Sequence, residues 1–128
     1  MSRTTTSRTA FASSIAIVAV IAVTGGAFAH AELKTAVPAA NGSVSASPPE
    51  IDLTFSEDLN LKFSGVKVTG PDKKAVKLGE SMLMDSNTEL MVPVSGTLAD
   101  GTYKVDWHAL SGDGHKTHGS YTFTVKSK

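Results

Sequence analysis

Beyond residue 50, apolar side chains recur at every second position, and this constrains the fold more than any other feature. Ile51, Leu53 and Phe55 fall on one side of an extended segment, with Asp52 and Thr54 on the other. Val66 and Val68 flank Lys67, and Leu90, Val92 and Val94 form another set. Tyr103, Val105 and Trp107 alternate with Lys104, Asp106 and His108, and Tyr121, Phe123 and Val125 with Thr122, Thr124 and Lys126. Period two is the signature of half-buried strands. Leu33 to Val37 and Ala75 to Leu78 are weaker candidates. Asn41-Gly42, Pro48-Pro49, Gly70-Pro71-Asp72, Asp100-Gly101 and Gly112-Asp113-Gly114 separate these runs with turn chemistry. No internal repeat or long helical period competes. About seven short strands in one domain predict an all-β, antiparallel, Ig-like Greek-key β-sandwich or small barrel. The aromatic residues of the last two strands are expected to face its core.

The first residues read differently. Arg3 and Arg8 are the only arginines and precede the apolar run Ile15 to Val23, which is followed by Thr24-Gly25-Gly26 and then Ala27-Phe28-Ala29. A basic start, an apolar middle and a small-x-small end describe a secretory signal peptide. Phe11 to Ala29 is diluted by Ser13, Ser14, Thr24, Gly25 and Gly26, which suits a spanning helix of about 20 apolar residues poorly. Cleavage is therefore expected after Ala29, giving a signal peptide over 1–29 and one mature domain over 30–128 that begins with His30.

All twelve acids and ten of the twelve basic residues lie in that mature part, so its net charge is near −2. Such a balance gives no electrostatic reason to expect a nucleic-acid partner. There is no cysteine. Disulfides, thiol nucleophiles and Cys-ligated zinc or iron–sulfur centres are excluded. A metal site would have to use His, Asp, Glu, Met or a chain terminus.

Of the four histidines, His30 would offer both an imidazole and a free α-amine if cleavage occurs as expected, a chelating pair suited to Cu(II) or Ni(II). Asp113-Gly114-His115 is a second element. Gly114 relaxes the backbone between a carboxylate and an imidazole, in a loop between two strands expected to pair. Glu57 follows the Ile51–Phe55 strand and could place a carboxylate at the same end of the sandwich. His108 should point to solvent, and His118 stands three residues beyond His115. Met82 and Met84 share a strand face, with Met91 opposite in sense to Leu90 and Val92. Core filling or scattered exposure accounts for these thioethers better than a soft-metal cluster.

Taken in order, these pieces resemble the CopC-type periplasmic copper-binding, copper-resistance proteins. The matching segments are His30-Ala31 with Leu33, Pro38-Ala39-Ala40-Asn41-Gly42, Ser47-Pro48-Pro49, Leu53 to Leu59 and Phe63-Ser64-Gly65. They continue with Gly101 to Trp107, Ser111, Asp113-Gly114-His115, Gly119 and Phe123-Thr124-Val125. The resemblance implies an exported Cu(II)-binding protein, expected to be a monomer and, because Asp113 and Glu57 would put carboxylates at the copper, not an enzyme. The metal would be held by the amine and imidazole of His30, by Asp113 and by His115, with Glu57 at or beside it. It also implies a role in copper resistance, buffering or delivery to a CopD-type transporter of the inner membrane. Some members carry a Met-rich loop for Cu(I). Here the corresponding stretch, Gly70-Pro71-Asp72-Lys73-Lys74, has neither Met nor His, so no Cu(I) site of that kind is expected. His108 stands where members often have Arg, and His118 is an added imidazole. The competing readings are an oxidase or monooxygenase with an N-terminal copper histidine, and a metal-free interaction sandwich. Zinc could compete for the same donors.

Overall fold

The computed structural model describes residues 31–127. Eight strands form two four-stranded sheets. The first contains β1 (Leu33–Val37), β3 (Glu50–Phe55), β6 (Glu89–Pro93) and β5 (Met82–Met84), in the order β1-β3-β6-β5. The second contains β2 (Gly42–Val44), β8 (Lys116–Val125), β7 (Gly101–Leu110) and β4 (Gly65–Thr69), in the order β2-β8-β7-β4. Consecutive strands lie mostly in different sheets, so the chain crosses repeatedly between the layers. Only β5–β6 and β7–β8 are sequential partners. This is the expected Greek-key β-sandwich.

The alternation read from the sequence becomes burial. Ile51, Leu53 and Phe55 are buried on β3, and Leu90 and Val92 on β6. They meet Val68, Tyr103, Val105, Ala109, Phe123 and Val125 from the second sheet. Tyr103 stacks on Phe123 with ring centroids 5.4 Å apart, and Phe55 meets Trp107 edge-on at 5.2 Å. The aromatic residues thus serve the core, as expected. Gly119 lies opposite Trp107, and a Cβ there would stand 2.7 Å from the indole. Glycine is what lets the ring lie across β8.

Three details differ from the sequence expectation. The described residues form eight strands, because the short β2 after the Asn41-Gly42 turn and the short β5 are added while one expected strand is lost. The pairing of β2 with β8 is parallel, while the other strand pairs are antiparallel. Ala75 to Leu78 forms no strand; it is tied by isolated bridges from Thr69 to Ala75 and from Leu78 to Val94. Of the two expectations for Met82, Met84 and Met91, scattered exposure holds and core filling does not. Met82 pairs with Met91, and Met82 and Met84 are exposed on the outer face of the first sheet.

Candidate metal centre

β7 and β8 are joined by residues 111–115, so the Asp113-Gly114-His115 triplet sits at the end of the longest hairpin. Ser111 N–H donates to the His115 carbonyl at 2.9 Å, and Gly114 N–H to the Ser111 carbonyl at 2.9 Å. Gly114 has φ +90°, a left-handed conformation that glycine adopts without a Cβ penalty. Neighbouring chain braces the turn from outside. Gly112 N–H donates to the Asp58 carbonyl at 3.0 Å, Asn60 N–H to the Leu110 carbonyl at 2.8 Å, and Leu59 bridges to Ser111. The buried Ser64 hydroxyl accepts from Leu110 N–H at 3.0 Å and donates to the Asn60 carbonyl at 2.8 Å.

Inside the turn, Asp113 and His115 are already joined. The Asp113 Oδ2 lies 2.9 Å from His115 Nδ1. Its Oδ1 accepts a hydrogen bond from the Ser111 hydroxyl and a 3.2 Å bond from His115 N–H. These donors, the Ser111 hydroxyl foremost and then the His115 ring, hold the Asp113 carboxyl down at about 2. The group is a fixed anion throughout the neutral range. This contact sets the His115 ring beside the carboxylate, so that the two side chains present oxygen and nitrogen donors from one turn.

The N-terminal segment comes to the same place. Ala31 is fully buried, and its carbonyl accepts from the Thr117 hydroxyl at 2.9 Å. Glu32 is clamped to Ser56 twice: its N–H donates to Ser56 Oγ at 2.9 Å and its carbonyl accepts from Ser56 N–H at 2.9 Å. His30 lies outside the described residues, as does the expected signal peptide. Glu57 is half-buried on the segment that follows β3, next to the Asp58–Leu59 brace of the turn. Asp113 and His115 are the pair in direct contact, and among the described residues no group of three His, Asp or Glu side chains is assembled for a metal. His118 is exposed on the face of β8 opposite to Thr117, and His108 is exposed on β7.

The sequence marked Asp113 and His115 but not their supports. Ser111 orients the carboxylate, and its position two residues ahead of the acid in a tight turn was the available signal. Thr117 and Ser56 hold the start of the chain. Thr117 bonds a carbonyl 86 residues away, which no local pattern reveals.

Comparison with known proteins decides the family. The sequence matches the CopC domain over residues 33–126. This chain belongs to the CopC family. Among CopC-like relatives, Protein YobA of Escherichia coli is 46% identical over 113 residues, covering 88% of this chain and 91% of that protein. Copper resistance protein C of Escherichia coli is 42% identical over 115 residues, covering 84% and 90%. The crystal structure of CopC from Methylosinus trichosporium superposes with a TM-score of 0.71 at 33% identity, covering 77% of this chain and 95% of that one. The CopC β-sandwich is therefore shared across the domain.

Proposed function

We propose that this protein binds Cu(II) outside the cytoplasm and serves copper resistance, as a buffer or as a carrier to a membrane copper transporter of the CopD type. The ligands are the α-amine and imidazole of His30, the carboxylate of Asp113 and the imidazole of His115, with Glu57 beside them. The observation that carries this reading is the hydrogen bond from the Thr117 hydroxyl to the carbonyl of the buried Ala31. Consecutive Cα atoms are about 3.8 Å apart. Ala31, the neighbour of His30 in the sequence, is thus fixed to a residue two positions beyond His115.

The donor set fits the ion. Amine, imidazole and carboxylate are nitrogen and oxygen donors of the kind Cu(II) takes in tetragonal geometry. Asp113 supplies negative charge without protonation, since its carboxyl is held at about 2. Asp113 and His115 remain 38–42% exposed, so an ion held there stays within reach of an acceptor. This is the site of a binding protein: ligands are supplied, and no further acid or base is required.

The test is a Cu(II) titration, followed by electron paramagnetic resonance, on a form beginning at His30 and on one carrying an extra Ala ahead of it. Tight one-to-one binding with a nitrogen-rich tetragonal spectrum is expected from the first. The second should bind about 100-fold more weakly, or about 2.7 kcal/mol. Equal binding by both forms would remove the terminal amine from the site.

A further inference from the structure

β7 and β8 bring together two imidazoles that the site above does not use. His108 and His118 are direct partners in the register of this antiparallel pair. Both are exposed. Strand alternation places them on the outer face of the second sheet, while Tyr103, Val105, Ala109, Phe123 and Val125 fill the inner one. Directly opposed residues carry Cβ atoms about 4.5–5.5 Å apart. Two imidazole nitrogens at about 2.0–2.1 Å from one ion stand about 3 Å from each other in a cis arrangement. Rings carried on opposed Cβ atoms can meet that requirement.

The third neighbour in the same row is Gly65, opposite His108 on β4. The His108 ring lies over it, with Cε1 3.0 Å from where a Cβ would stand. The ring therefore lies against the backbone of β4, beside an open cavity that it lines with Phe63, Lys116 and Thr117. An exposed ring exchanges rotamers on the picosecond-to-nanosecond scale. Rotation about its Cα–Cβ bond carries it from the β4 side towards His118.

We propose that His108 and His118 form a second, weaker site for a divalent transition-metal ion on the open face of the β2-β8-β7-β4 sheet. Two neutral imidazoles and solvent suit Zn(II) or Cu(II) and discriminate against Ca(II) and Mg(II), which prefer oxygen donors. Lys67, Lys104 and Lys116 share this face, and Asp106, two residues before His108, is engaged by Lys104 at 3.6 Å. That positive surroundings keeps the site weaker than one containing an unopposed carboxylate. It is independent of the centre proposed above, because His118 and Thr117 project to opposite faces of β8.

Zn(II) titration of the exported chain tests this, with imidazole signals followed by NMR and affinities by calorimetry. Three proteins are compared: the wild type, His118→Gln, and the double variant Asp113→Asn with His115→Gln. In the wild type, the His108 and His118 signals should respond together at one Zn(II) concentration. His118→Gln should weaken that event at least about tenfold and leave the His115 response unchanged. The double variant should keep the His108–His118 event whether or not the first centre exists, so the two readings fail separately. Unmoved ring signals, a His108 response that ignores His118→Gln, or loss of the event in the double variant would each overturn the proposal.

Discussion

At the scale of single residues, Ser111 is the member of the centre with the most leverage. It is 2% exposed, and its hydroxyl is the leading cause of the low Asp113 carboxyl. Ser111→Ala removes that donor, so the carboxyl should move up from about 2 towards its ordinary 3.8. Carbon-13 NMR titration of the Asp113 carboxyl measures this, and an unmoved midpoint would show that Ser111 does not orient it. The sign for stability follows. A depressed carboxyl stabilises the fold fully above the ordinary value, and that contribution is lost as pH falls from about 4 to about 2. Copper binding has a different window. Asp113 is already an anion there, so proton competition comes from the imidazoles and the amine. An ordinary imidazole protonates near pH 6.5 and an α-amine near 8. Copper affinity should therefore fall as pH drops from 8 and steeply below about 6.

At the scale of elements, the β7–β8 hairpin does two jobs, and each has its own substitution. Gly119→Ala drives a Cβ to 2.7 Å from Trp107, whose ring is held in turn by Phe55. Overpacking of this kind costs about 1–3 kcal/mol, so chemical denaturation should shift to lower denaturant at unchanged slope. An unaltered midpoint would mean the indole has room that the packing denies. Thr117→Val keeps the shape of the side chain and deletes the hydroxyl that holds the Ala31 carbonyl. Copper affinity should drop about tenfold, since partners that orient ligands are typically worth 10–100-fold, with the midpoint of unfolding moved far less. The hairpin itself was legible because alternation and glycine-rich turn chemistry are local signals. The same holds for Asp113 and His115. The parallel β2–β8 pairing was not legible, nor was the Thr117–Ala31 bond, because each joins residues some 80 positions apart. Ala75 to Leu78 alternates like a strand, but it forms isolated bridges and never joins a ladder. The methionines were read correctly as strand residues of shared sense. Their placement on the outer face depends on which side of the sheet the other layer covers.

At the scale of the whole molecule, the proposed centre joins the two layers. The chain from His30 runs into β1 of the first sheet, while Asp113 and His115 belong to the β7–β8 turn of the second. Without metal, the layers are held by the shared apolar core and by contacts such as those of Thr117 and of the segment that follows β3. An ion ligated from both sides adds a bond that exists only in the folded state. At a free concentration 100 times the dissociation constant, such a ligand stabilises by about 2.7 kcal/mol. Near the midpoint, 1 kcal/mol moves a domain of this size by about 4–8 °C. Cu(II) at a free concentration 100 times its dissociation constant should thus raise the melting temperature of the form beginning at His30 by about 10–20 °C. It should also slow amide exchange in β1 and in the 111–115 turn together, because both must open before the ion can leave. The form with an extra N-terminal Ala should gain much less at the same copper concentration, and Asp113→Asn with His115→Gln should gain almost nothing. An equal gain in all three would mean that copper stabilises this sandwich from a site that does not span its layers.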